Sequence, residues 1–163
     1  MQILKTVRSV LNKVLGGINV FLFAFMVVIG TYQISVRYLF NKPSTVSEEL
    51  MTYSFSWMAL FAAAYVFGKR EHMRMGFLVD KLQTNTKRIL DIIIEVIIFA
   101  FAVVVMLYGG VQITSLTMTQ KTASLGIPMG YIYMIIPICG ILIIVYSILN
   151  IIDIACDTKK IEK

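Results

Sequence analysis

The sequence predicts an all-α membrane protein with four transmembrane helices, further amphipathic helices at the membrane surface, and both termini in the cytoplasm. Of the 163 residues, 58% are apolar and only 15% are charged, and four long stretches, 14–36, 50–68, 96–120 and 122–152, contain no charged residue. A helix needs about 20 mostly apolar residues to cross a hydrocarbon core of roughly 30 Å, because lipid offers the backbone no hydrogen-bond partner. We therefore predict one membrane domain over residues 1–163, with spans near 14–36, 47–68, 89–112 and 130–152.

The orientation follows from the basic residues. Lys and Arg in short connections are retained on the cytoplasmic side during insertion. Twelve of the 15 basic residues lie in the N-terminal segment, in the connection between the second and third spans, and at the C-terminus, whereas the other side holds Arg37, Lys42 and Lys121. Both termini are therefore predicted to be cytoplasmic, and the net charge of +6 indicates attraction to anionic lipid headgroups rather than to nucleic acid.

Residues 1–13 carry an amphipathic pattern, in which apolar side chains recur at three- and four-residue spacing and basic side chains take the other positions. Gly16 and Gly17 permit a bend, so this segment is predicted to lie in the headgroup plane. The alternative is a straight extension of the first span. A shorter apolar stripe within residues 75–82 predicts a second surface segment in the basic connection.

The second span opens on a Thr-x-x-Glu pattern at Thr45 and Glu48, which is typical of a capping box at a helix N-terminus. Capping accounts for Glu48. Glu49 is not needed for the box, which makes it a candidate contact with another protein. Trp57, farther along this span, is more typical of a packing residue than of a ligand platform. Pro137 predicts a kink in the fourth span.

Charged residues are rare within the predicted spans. Only Asp91 and Glu95 enter the third span, where Lys87, Asp91 and Glu95 follow one another at four-residue spacing. One interpretation is a ladder of ion pairs near the membrane surface. The other is a polar anchor that faces another protein, since a carboxylate in that contact avoids lipid.

The residue types needed for catalysis are scarce. His72 is the single histidine, Cys139 and Cys156 do not have metal-ligand spacing, and no Gly-rich phosphate loop is present. We therefore predict neither an enzyme nor a cofactor site in this chain.

Four motifs resemble the small membrane subunit of tripartite ATP-independent periplasmic (TRAP) transporters. They are the Glu-Glu pair at 48–49, the Arg-Glu-His-Met-Arg segment at 70–74, the Arg-Tyr-Leu-Phe-Asn segment at 37–41, and the Leu-Gly-Ile-Pro segment at 125–128. The likeness extends from about residue 14 to residue 153.

The resemblance implies a bacterial inner-membrane subunit that braces a large membrane subunit, while a periplasmic binding protein captures an organic anion such as a sialic acid or a dicarboxylate. Sodium ions would then bind in the large subunit, and this chain would contact lipids and those two proteins. The candidate residues for the partner interface are Arg37, Glu48, Glu49, Trp57, His72, Arg74, Asp91 and Glu95.

Two other classes of membrane protein need residues that this sequence lacks, and a third class stays open. A self-sufficient exporter of the small multidrug kind needs a glutamate embedded in its first span, and residues 14–36 contain none. A haem or quinone anchor needs paired intramembrane histidines, and the sequence lacks them. A non-transport scaffold, or the anchor subunit of another membrane complex, stays open on sequence alone.

Overall fold

A computed structural model of the chain describes residues 2–69 and 84–161, with side chains over 6–69 and 89–154. The described part is helical apart from its connections, and it contains no β-strand beyond an isolated bridge between Lys121 and Pro128. In chain order the elements are α1 (Gln2–Leu39), α2 (Thr45–Lys69), α3 (Thr84–Phe101), a π-helix (Ala102–Gly109), α4 (Gly110–Thr117), α5 (Gly130–Tyr133) and α6 (Ile135–Ile161).

Four helical stretches are long and apolar enough to cross a membrane: Thr6–Leu39, Thr45–Lys69, Ile89–Thr117 and Gly130–Ile154. The third span comprises most of α3, the π-helix and α4, and the fourth comprises α5 and most of α6. The predicted all-α architecture with four transmembrane helices is therefore confirmed.

The first helix continues through Gly16 and Gly17 without a break. Residues 2–13 therefore continue the first span as part of one helix, in agreement with the alternative interpretation. The helix ends at Leu39, and Asn41 has a φ of 50°. Asn tolerates this left-handed conformation better than most residues, so it suits the end of a helix. The second predicted surface segment, within 75–82, lies outside the described residues.

Ser44 caps the second helix, one residue earlier than the predicted box. The Ser44 hydroxyl accepts the backbone N–H of Ser47 at 3.3 Å and the Ser47 hydroxyl at 2.9 Å. The expected Thr45–Glu48 box was therefore wrong, because a serine at the preceding position already satisfies the first N–H groups of the helix. Glu48 is exposed.

The fourth span is the central helix of the bundle. Half of the residues in its apolar stretch are buried within the protein. The corresponding fraction is 6% for the first span and 11% for the second and third. Side chains from all four spans meet around it, in a core formed by Leu15, Phe61, Ala64, Ala102, Met106, Ile135, Cys139, Ile143 and Tyr146. Close packing holds these helices, because lipid provides little hydrophobic force between them.

The third and fourth spans lie in close contact at Gly140. A Cβ atom at this position would lie 3.0 Å from the Cβ of Met106 and 3.2 Å from the backbone nitrogen of Leu107. Both neighbours belong to the π-helix. Glycine at this position therefore lets the backbone of the fourth span rest against the widened turns of the third.

Candidate functional site

Two polar clusters join the spans, one at each end of the bundle. We call the end that holds residues 40–44 and the loop 118–129 the loop end, and the end that holds the start of α1 and the end of α6 the terminal end. Each cluster centres on one glutamate, Glu49 at the loop end and Glu95 at the terminal end.

At the loop end, Glu49 binds the backbone of the loop that connects the third and fourth spans. Its Oε1 accepts the N–H of Ala123 at 3.2 Å, and its Oε2 accepts the N–H groups of Ser124 and Leu125 at 2.9 Å each. The Tyr53 hydroxyl donates to Oε1 at 2.6 Å. A single carboxylate thus accepts four hydrogen bonds, which is close to the capacity of its lone pairs.

The local conformation of the loop creates this cradle of N–H groups. The Thr122 N–H donates to the Ile127 carbonyl at 2.9 Å, and the Ile127 N–H donates to the Thr122 hydroxyl at 3.2 Å. Gly126 completes the turn with a φ of 68°, a value that favours glycine. Closing the turn in this way directs three successive N–H groups to one side, and such an arrangement attracts an anion.

Trp57 provides a second link between the second and fourth spans. Its indole N–H donates to the Ile132 carbonyl at 3.0 Å, and its ring packs edge-on against Phe61 with centroids 6.4 Å apart. Ile132 lies just before the interruption at Met134 that separates α5 from α6, and Pro137 follows in the first turn of α6. The predicted irregularity of this span thus lies just before the proline, and Trp57 binds a carbonyl next to it.

At the terminal end, Glu95 is bound by two side chains of the fourth span. The Asn150 amide donates to Oε1 at 2.9 Å, and the Ser147 hydroxyl donates to Oε2 at 3.0 Å. Ser147 and Asn150 are 1% and 2% exposed. Buried polar groups without partners are costly, so these hydrogen bonds stabilise the contact between the third and fourth spans.

The first helix joins the same cluster through Arg8. The Arg8 guanidinium donates to Oδ1 of Asn150 at 2.6 Å and pairs with the Asp153 carboxylate at 2.9 Å. One turn later, Asn12 accepts the hydroxyl of the buried Tyr146 at 2.7 Å. The terminal-end cluster therefore ties the first, third and fourth spans together.

These contacts redefine two of the predicted partner residues. Glu49 was a candidate because the capping box does not need it, and Glu95 because a contact with another protein would keep its carboxylate out of lipid. The structure shows that each binds groups of its own chain. The half-buried Glu95 thus has hydrogen-bond donors within its own chain. Contact of either residue with a partner stays a prediction, as does an ion pair of Glu95 with Lys87, whose side chain lies outside the described residues.

The other candidates are scattered. Arg37 is exposed in the last turn of α1, Glu48 is exposed in the first turn of α2, and Asp91 is half-buried one turn before Glu95. His72 and Arg74 lie outside the described residues. The candidates that the structure describes are therefore not gathered into one surface.

The site residues predicted from the sequence did not include Arg8, Asn12, Ser147 or Asn150. A usable signal was present in the fourth span, where Ser147, Asn150 and Asp153 recur every three residues within an otherwise apolar stretch. This spacing places them on one helix face, and a polar stripe in a transmembrane helix indicates a protein contact rather than lipid.

The four spans and the two clusters define a polytopic membrane protein whose polar side chains hold its own helices together. Its sequence matches the family described as tripartite ATP-independent periplasmic transporters, DctQ component, over residues 26–157, and the chain belongs to that family. It is therefore a multi-pass inner-membrane component of a transporter and not an enzyme.

Individual relatives agree with this assignment. The chain is 29% identical over 140 residues to the sialic acid TRAP transporter small permease protein SiaQ of Vibrio cholerae, with 81% of each chain covered. It is 25% identical over 140 residues to a putative TRAP transporter small permease protein of Haemophilus influenzae, with 86% of each covered. A second such protein of Haemophilus influenzae is 23% identical over 128 residues, covering 78% of this chain and 77% of the relative. A non-transport scaffold is not favoured.

Proposed function

We propose that this chain is the accessory subunit that braces the large membrane subunit of a sodium-coupled transporter, which imports an organic anion delivered by a periplasmic binding protein. The proposal assigns the sodium ions and the transported anion to the large subunit. This chain contributes a stiff, lipid-embedded support.

The observation that supports the proposal is that Glu49 and Glu95 each accept hydrogen bonds from groups of this same chain. Residues of a translocation pathway must exchange partners as an ion or substrate passes. Here the Glu95 carboxylate is bound by donors of the fourth span. The Glu49 carboxylate is bound by N–H groups of the loop between spans and by Tyr53 of its own helix, and all these distances are 2.6–3.2 Å. Such contacts suit a support whose helices keep fixed positions.

For the substrate we propose an organic anion of the sialic acid or dicarboxylate class, with sialic acid tested first. The support for this order is the similarity to the Vibrio cholerae protein, which is named a sialic acid TRAP transporter small permease protein.

Reconstitution tests the proposal directly. Proteoliposomes are prepared with this chain alone, with the large subunit alone and with both. Each preparation receives an inward sodium gradient, the periplasmic binding protein, and labelled sialic acid or a four-carbon dicarboxylate. We expect sodium-dependent uptake only when both subunits are present.

Uptake by this chain alone above that of empty vesicles would contradict the accessory role. Equal uptake by the large subunit with and without this chain would contradict the bracing role. Uptake by the complete system that does not depend on sodium would contradict the coupling, and failure to take up either anion would contradict the substrate class.

A further inference from the structure

A shallow, open groove lies between α1 and α2 at the terminal end, with a volume of about 480 Å³. Its lining consists of polar side chains, one tyrosine and two glycines: Arg8, Ser9, Asn12, Lys13, Gly16, Gly17 and Tyr65. We propose that this groove binds the phosphate of a membrane phospholipid headgroup.

The chemistry of the lining fits an anion. Ser9, Asn12, Lys13 and Tyr65 all carry hydrogen-bond donors, and none of the seven lining residues is acidic. Asp153 already balances the charge of Arg8, at 2.9 Å. Lys13 makes no ion pair with any residue that the structure describes, so it supplies the positive charge that remains available to a ligand.

Asn12 presents a donor because its acceptor is already in use. Its Oδ1 accepts the hydroxyl of Tyr146, which is 1% exposed and belongs to the core. The remaining polar atom of the side chain is Nδ2, which only donates. The buried tyrosine therefore selects the amide orientation that suits a phosphate oxygen.

The two glycines leave room for the ligand. A Cβ atom at Gly16 or Gly17 would meet nothing within 4 Å, so space adjoins the helix surface at both positions. On the opposite wall, the ammonium of Lys69 lies 4.7 Å from the centroid of the Tyr65 ring. This contact places a further positive charge beside the groove.

The position of the groove favours a lipid over a soluble phosphate. The first apolar span begins at Thr6, and the groove covers residues 8–17, or about 14 Å of helix at 1.5 Å per residue. Val10 and Val14 are more than half exposed on the same stretch of α1. A phospholipid satisfies both features, because its phosphate meets the donors while its acyl chains lie along the apolar helix surface.

Native mass spectrometry of the full chain, released from nanodiscs of phosphatidylglycerol and phosphatidylcholine, tests the site. Lys13→Ala removes the uncompensated charge, and Gly16→Leu fills the groove. The matched controls are Lys121→Ala, which removes an exposed lysine at the loop end, and Ala24→Leu, which enlarges an exposed position farther along α1. Circular dichroism confirms that all four variants are helical.

We expect the wild-type protein to retain one phospholipid through a collision energy that removes the others. Lys13→Ala should reduce retention of phosphatidylglycerol about fivefold, the factor expected for one lysine near an anionic surface. Gly16→Leu should abolish the retained lipid, and both controls should match the wild type. Equal retention by the wild type, Lys13→Ala and Gly16→Leu would overturn the proposal.

Addition of inorganic phosphate distinguishes a phospholipid phosphate from a free phosphate as the ligand of the groove. Retention that is unchanged by 10-fold more phosphate than lipid supports a lipid site. Replacement of the retained lipid by bound phosphate would overturn the lipid assignment, and the groove would then be a soluble anion site.

Discussion

The carboxylate of Glu49 accepts the backbone N–H of Leu125 at 2.9 Å, across 76 residues of sequence. This bond, with those from Ala123 and Ser124, anchors the loop between the third and fourth spans to the start of the second. The position of this loop is therefore held by one side chain, Glu49, which hydrogen-bonds to the loop backbone.

Glu49→Ala should loosen this loop, because three backbone N–H groups lose their common acceptor. We expect faster protease cleavage within 118–129 and a lower melting temperature in detergent. Glu49→Gln retains one acceptor oxygen and should give an intermediate effect. Glu48→Ala is the control, since Glu48 is exposed on the same helix; equal cleavage rates for Glu48→Ala and Glu49→Ala would contradict the anchoring role.

Asn150→Leu should destabilise the terminal-end cluster by about 1–3 kcal/mol, because a Glu95 oxygen loses its donor and the Arg8 guanidinium keeps only its ion pair with Asp153. The double variant Glu95→Leu with Asn150→Leu should lose less than the sum of the two single changes, since removal of both partners leaves fewer unpaired groups. Equilibrium unfolding in mixed micelles measures all three. Strict additivity would show that the 2.9 Å contact between these residues contributes little.

Glu95→Leu should also weaken co-purification of the large subunit while the chain still inserts into the membrane. Since Glu95 binds Ser147 and Asn150, its effect on the partner can act through the position of the third span. Asp91→Asn, nearer the start of the span, should matter less. Normal recovery of the large subunit with Glu95→Leu, in the same detergent, would place the interface elsewhere.

Gly68→Ala should destabilise the bundle by about 1–3 kcal/mol through overpacking. A Cβ atom at Gly68 would overlap the ring of Tyr146, which is buried and held by Asn12. Gly17→Ala is the control, because its Cβ meets nothing within 4 Å and alanine favours a helix over glycine by about 1 kcal/mol. A melting temperature for Gly68→Ala at or above that of Gly17→Ala would contradict the close contact.

Both termini should face the cytoplasm, as the distribution of basic residues predicts. In a background without native cysteines, an impermeant thiol reagent added to intact cells with a permeabilised outer membrane should label Lys42→Cys and Lys121→Cys. It should not label Lys5→Cys or Lys160→Cys. The reverse labelling pattern would invert the topology.

Local sequence determined the four spans of this protein and predicted its family, because both depend on features that are continuous in the chain. The length of an apolar stretch indicates a transmembrane helix whatever the helix packs against. Motifs such as the Glu-Glu pair at 48–49 are short enough to recognise directly in the sequence. The same local reasoning placed the cap of the second helix at Thr45, where the structure has Ser44. It also favoured a separate surface helix over residues 1–13, whereas the first helix runs without a break from Gln2 to Leu39.

Only the tertiary structure decided what the polar side chains bind and which helix is central. The sequence separation is 76 residues between Glu49 and Leu125, and 55 residues between Glu95 and Asn150. In addition, four apolar helices of similar composition can pack in many arrangements. In the folded protein each buried donor must meet an acceptor, and each small residue must meet a close neighbour. Few of the possible arrangements satisfy both conditions. The fourth span is central because it contacts every other span: Gly140 lies against Met106 of the third, Tyr146 packs against Gly68 of the second, and Asn150 accepts a hydrogen bond from Arg8 of the first.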